Sequence, residues 1–195
     1  MIFSPTVADI CRPGEKSKAL LYNILLVFGG SIFITVSAQI AIGGPIPFTM
    51  QTFAVLFVGA LFGTRLGSAA VGLYLLEGLA GWPVFSHWRG GFHMLLGPTG
   101  GFLIGFLAAA YVLGFLAQHG WDKRISTTIM AMITGNIIIH LFGFTWFSLL
   151  AGTNNALILG LYPFIPGDII KIILAAVLLP SGWKLIEYFG VIYKE

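Results

Sequence analysis

Charge is what this chain has least of. Asp, Glu, Lys and Arg make up only 9% of it, where a soluble domain carries about 25%. With 57% hydrophobic residues and a mean hydropathy of +0.95, that scarcity excludes a soluble domain and predicts an integral membrane protein. Cysteine is nearly absent too: a lone Cys11 excludes an intrachain disulfide. The few basic residues lie at the ends of apolar runs and form no stripe, so the net charge of +3 does not point to nucleic acid. Alternating polarity in segments of about ten residues, the mark of a transmembrane β-barrel, is missing. So are the common catalytic signatures. "LLGPTGG" is glycine-rich but has no lysine, so there is no phosphate-binding P-loop and no ATP hydrolysis through one. There is no H-E-x-x-H, no C-x-x-C and no G-x-S-x-G, and His87, His93, His119 and His140 show no metal-ligand spacing. No cleavable signal peptide is expected, because the first 19 residues are mixed and polar and the run that follows is long enough to span.

What is present is a set of long apolar runs. In lipid every backbone polar group must be satisfied internally, which leaves an all-α bundle. A bilayer takes about 20 apolar residues per helix. Six runs qualify, some of them short or broken, at 19–42, 50–63, 66–81, 94–118, 125–151 and 167–189. The second and third are joined by "GTRLG", which predicts a tight hairpin. The whole chain, 1–195, reads as one transmembrane domain with a short cytoplasmic N-terminal segment over about 1–18. Arg12, Lys16, Lys18, Arg65, Lys123, Arg124, Lys184 and Lys194 all fall on one side of such a bundle. By the positive-inside tendency both termini are cytoplasmic. The opposite loops carry a single basic residue, Arg89, and are rich in Gly, Pro and aromatics. Loops of that kind can fold back over a cavity. Along the fourth run Gly97, Gly101, Gly105 and Ala109 recur every four residues, a spacing that suits a helix-packing seam.

The candidate site follows from the cost of charge in lipid. "PFIPGDIIKIILAAVLLP" places Asp168 near the outer N-terminus of the sixth helix, where the helix dipole favours a carboxylate. Lys171, three residues on, shares its face. The two read either as an ion pair that pins the helix or as a ligand site. Arg89, in "HWRGG", can fork onto a carboxylate, a phosphate or a carbonyl, or contact lipid headgroups. Glu77 in the third run needs a partner such as Arg89, or must be neutral. Tyr74, one turn away, shares its face, and Thr49 and Gln51 open the second helix with hydrogen-bonding groups or act as caps. Trp82, Phe85 and Trp88 wall a pocket or form an interfacial belt. Together these residues describe an apolar, aromatic pocket open to the outside, suited to a small amphipathic ligand with an acid group and an amide-like head.

"GGPIPFTMQTFAVLFVGALFGTRLG", "YLLEGLAGWPVF", "RGGFHMLLGPTGGFLIGF" and "PFIPGDIIKIILAA" resemble the BioY family, the biotin-binding S components of energy-coupling factor (ECF) transporters. The resemblance runs from about Thr35 to Pro180, with Trp82 and Phe102 standing where Leu and Tyr are usual. It implies six membrane helices of the S-component type in the cell membrane, no enzymatic activity, no cofactor, and biotin as ligand near the outer face. It implies that Arg89, Asp168 and Lys171 contact biotin. It also implies partnership with the membrane scaffold EcfT and two ECF-type ATPases, and docking through small residues of the first helix, to which Ser37 and Ala41 are the best matches. The rival readings are a stand-alone secondary transporter of biotin or a similar acid, an S component for another vitamin, and an intramembrane enzyme using Glu77, Asp168 or His140 as acid or base.

Overall fold

The computed structural model describes residues 4–43 and 46–188. Gly44 and Pro45 of the first outer loop, Lys194, and the end of the sixth run at 189 lie outside the described residues. A short helix, α1 (Val7–Ile10), opens on a capping box. Thr6 Oγ1 accepts from the Asp9 amide, and the Asp9 carboxylate accepts from the Thr6 amide at 3.0 Å. The long helix α2 (Lys16–Gln39) leads into a two-strand antiparallel ribbon, β1 (Ala41–Ile42) and β2 (Phe48–Thr49), with Ala41 opposite Thr49. Then come α3 (Gln51–Leu79), a 3-10 turn (Ser86–Trp88), α4 (His93–Leu96), α5 (Gly100–Ala117), α6 (Ile125–Ala151), α7 (Thr153–Gly160) and α8 (Ile165–Tyr188).

The expected hairpin lies inside α3. Gly63 has φ 75° and ψ −178°, a conformation that needs glycine, and it divides α3 into arms over 51–62 and 64–79. The arms fold onto one another: a Cβ at Gly67 would lie 2.9 Å from the Cα of Gly59. In a straight helix those residues stand about 12 Å apart. Five helical stretches among the described residues are long and apolar enough to cross a membrane, with α3 counted once. Taking its arms separately gives the six-helix bundle.

The fourth helix differs from expectation at its start. It begins at Gly100, and residues from His93 to Leu96 form α4. Gly97 is extended (ψ −176°) because the residue before a proline is pushed out of the α region, and Pro98 follows. The small-residue stripe is a packing seam. A Cβ at Gly101 would meet Trp146 Cβ at 2.3 Å, and one at Gly105 would meet the Ile139 Cα at 3.1 Å, both on α6. On the other side Gly59 of α3 lies against the Ala110 backbone, so α5 sits between α3 and α6.

The packing suits lipid. Leu20, Leu25, Ile32 and Val36 of α2 are exposed, while Ser31, Thr52, Thr128, Asn136, Asp168 and Lys171 are buried. At one end Ser4 is tied in: Ser4 N donates to Gln118 O at 2.7 Å, and Lys123 Nζ donates to Ser4 Oγ at 2.6 Å. Asp122 Oδ2 accepts from Trp183 Nε1 at 2.6 Å, and Lys123 stands 4.3 Å from the Trp183 ring centroid. Asp122 lies in the α5–α6 link, and burial pushes its carboxyl above the usual carboxylate range.

Candidate ligand-binding site

The opposite end holds a cavity lined mostly by apolar and aromatic side chains, with a few polar groups among them. The start of α3 brings Gln51 and Thr52 to it, β2 brings Thr49, the 80–99 loop brings Phe85 and Ser86, α5 brings Phe102, α6 brings His140, and the link before α8 brings Phe164. The aromatic wall is continuous: Phe102 stacks on Phe164 at 6.1 Å, and Phe164 stands 6.3 Å from Phe48.

Behind this wall lies the charge. Asp168 and Lys171 are 6% and 2% exposed. Lys171 Nζ donates to Asp168 Oδ1 at 3.2 Å and to Thr52 Oγ1 at 2.8 Å, and it sits 4.2 Å from the Phe48 ring centroid. The other carboxylate oxygen, Asp168 Oδ2, is 2.6 Å from His140 Nε2. Thr52 and His140 line the cavity, so one hydrogen bond separates the cavity from each member of the ion pair. Such a pair is held by geometry: each partner offsets the desolvation of the other, and the remaining polar atoms find Thr52 and His140.

Of the other expected residues, Thr49 and Gln51 line the cavity. Tyr74 supports Gln51 from behind: its hydroxyl accepts from Gln51 Nε2 at 2.8 Å, donates to Val84 O at 3.4 Å, and its ring meets Phe85 edge-on. Glu77 accepts a hydrogen bond from Ser31, bridging α2 and α3, and no ion pair with Arg89 forms among the described residues. Arg89 is anchored in the outer loop, with Nε donating to Ser86 O at 3.0 Å and Nη2 to Ser86 Oγ at 3.2 Å. Ser86 lines the cavity, and Arg89 reaches it only through Ser86. Phe85 walls the cavity, whereas Trp82 and Trp88 are more than 60% exposed. Of the two small residues matched to docking on the first helix, Ala41 is not part of that helix. Ser37 is buried, and α2 ends at Gln39, so Ala41 is off the helix and paired in the ribbon.

Three contributors were not singled out for the site from sequence. Thr52 follows Gln51 on α3, but nothing local marks it as a lysine partner. His140 carries a signal, an imidazole within an apolar run, but no spacing that ties it to Asp168 28 residues later. Gln39 fastens the outer loop. Its Nε2 donates to Val84 O at 3.3 Å and Phe85 O at 3.2 Å, and its Oε1 accepts from the Trp88 amide at 3.0 Å. That tie holds a loop in which His87 and Trp88 both have left-handed φ, 59° and 55°.

A membrane-embedded helical bundle with an aromatic-walled cavity at one end, backed by a buried acid–base pair, is by class a small-molecule-binding membrane protein. The BioY family model matches residues 14–188, and the chain belongs to the BioY family. It is 35% identical over 162 residues to the biotin transporter BioY of Thermotoga maritima, covering 83% of this chain and 90% of that one. It is 38% identical over 146 residues to the probable biotin transporter BioY of Pyrococcus horikoshii, covering 74% and 85%. The crystal structure of the S-component for biotin from an ECF-type ABC transporter superposes with a TM-score of 0.74 at 28% identity, covering 88% of this chain and 95% of that one.

Proposed function

We propose that this chain is the biotin-binding S component of an ECF transporter in the cell membrane. It takes biotin at the outer face, and the scaffold EcfT with ECF-type ATPases drives its delivery inward. The observation that carries the reading is the Asp168–Lys171 pair, buried one hydrogen bond behind an aromatic-walled cavity. The biotin relatives and the superposed S-component support it. Biotin offers two ureido N–H donors and a carbonyl, an apolar thiophane ring, and a valerate carboxylate. The ureido head belongs at the deep end, where Asp168, Lys171, Thr52 and His140 supply acceptors and donors. The thiophane lies against Phe85, Phe102 and Phe164. The valerate carboxylate, which is expensive to desolvate, stays at the rim with Arg89. Thr49 and Gln51 complete the polar lining, Tyr74 and Gln39 hold Gln51 and the outer loop in place, and Glu77 contributes through the α2–α3 packing.

Calorimetry of the purified chain with biotin tests the binding half. One-to-one binding by the wild type, weakened by several kcal/mol in Asp168→Asn and Lys171→Ala, is the expected result, because each leaves its partner unpaired in a dry site. Unchanged affinity in a folded Asp168→Asn variant removes that residue from the site. Vesicles carrying this chain alone test the transport half: biotin accumulation without the ATPases makes it a stand-alone carrier.

A further inference from the structure

His140 is tied to the ion pair yet unfinished as a hydrogen-bonding group. Its Nε2 is 2.6 Å from Asp168 Oδ2. Its Nδ1 is buried and has no hydrogen-bond partner among the described residues. The ring sits between the aromatic-walled cavity and a groove between α6 and α8, and lines both. Its neighbours fix what it can do. α8 presents Asp168 directly and Lys171 through it. α5 and the link before α8 present only the rings of Phe102 (6.1 Å) and Phe164 (5.9 Å), and α3 presents Thr52. Asp168 is an acceptor here, since it receives Lys171. The short contact therefore places the imidazole proton on Nε2, and Nδ1 of the neutral ring is a lone pair. Thr52 is the complement. Its oxygen already accepts from Lys171, so its hydroxyl proton is left to donate.

We propose that His140 is a positioning and specificity residue of the ligand site. It holds Asp168 from Nε2 and, while neutral, offers Nδ1 as an acceptor to a ligand N–H beside the Thr52 donor. This pairing suits a cyclic urea or amide head. The inference rests on the reading of biotin as ligand.

The test is biotin binding by calorimetry for the wild type, His140→Gln and His140→Leu. His140→Leu is expected to bind roughly ten-fold more weakly than the wild type. His140→Gln keeps an amide donor and acceptor, so it is expected to bind more weakly than the wild type and more tightly than His140→Leu. A His140→Leu variant that binds as the wild type does overturns the inference, as does a His140→Gln variant that binds no more tightly than His140→Leu. Either leaves the biotin reading standing. Wild type that does not bind biotin overturns that reading as well.

Discussion

Lys171 keeps its ammonium behind a wall of aromatic rings with Asp168 and Thr52 as its hydrogen-bond partners. A buried pair of this kind is costly to break and cheap to replace. Removing one member leaves an uncompensated charge, at about 3–5 kcal/mol, whereas replacing both by neutral groups of similar volume is often neutral. Asp168→Asn and Lys171→Met, each alone, are thus expected to lower the unfolding temperature in detergent more than the double variant does. Losses that simply add in the double variant mean the two charges are not coupled. At the same scale, Gln39 ties two carbonyls and one amide of the outer loop to the end of α2. Gln39→Ala gives up three hydrogen bonds worth about 1 kcal/mol each. It is expected to speed biotin dissociation at least ten-fold while leaving the association rate nearly unchanged. An unchanged off-rate shows that the loop is held by other contacts.

Two elements carry strain or burial that a single change exposes. Gly63 reverses α3 at φ 75°, and a Cβ there would sit 3.0 Å from Thr6 Cγ2 and 3.1 Å from Gln118 Nε2. Gly63→Ala meets both the left-handed penalty, about 1–2 kcal/mol, and this crowding. Lower thermal stability with the same helix content by circular dichroism is the expected outcome. The α5–α6 link buries Asp122 against Trp183. Because burial raises its carboxyl in the folded chain, the folded state favours the protonated form. The stabilisation is full below the unfolded value, near 3.9, and is lost as pH rises through the raised folded value. Asp122→Asn is therefore expected to raise the unfolding temperature at neutral pH and to flatten its dependence on pH above 4. A variant less stable at neutral pH shows that the attraction to Lys123 outweighs burial.

The whole molecule has a polar axis. Basic residues and the tied-in Ser4 mark one end, and the cavity marks the other. Cys11 is exposed near the basic end, and Trp88 is exposed at the cavity end. In intact cells a membrane-impermeant maleimide is expected to label Trp88→Cys, in a Cys11→Ser background, and to leave native Cys11 unlabelled until the membrane is opened. Labelling of Cys11 in intact cells inverts the orientation.

Composition and run length by themselves determined the class: a chain this poor in charge has to satisfy its backbone with helices in lipid. The hairpin at Gly63 and the pairing of Asp168 with Lys171 were also legible, because each depends on neighbours a turn or a short loop away; the seam at Gly101 and Gly105 showed in the spacing of its small residues, but its partners on α6 did not. What only the tertiary structure decided involves partners far apart in sequence. Thr52 meets Lys171 across 119 positions, His140 meets Asp168 across 28, and Gln39 reaches the loop at Phe85 across 46. The same distance gave Glu77 to Ser31 instead of Arg89 and turned Ser37 inward. A side chain's type fixes what it can bond. Which group it reaches is set by the packing of whole helices, and no local spacing encodes that.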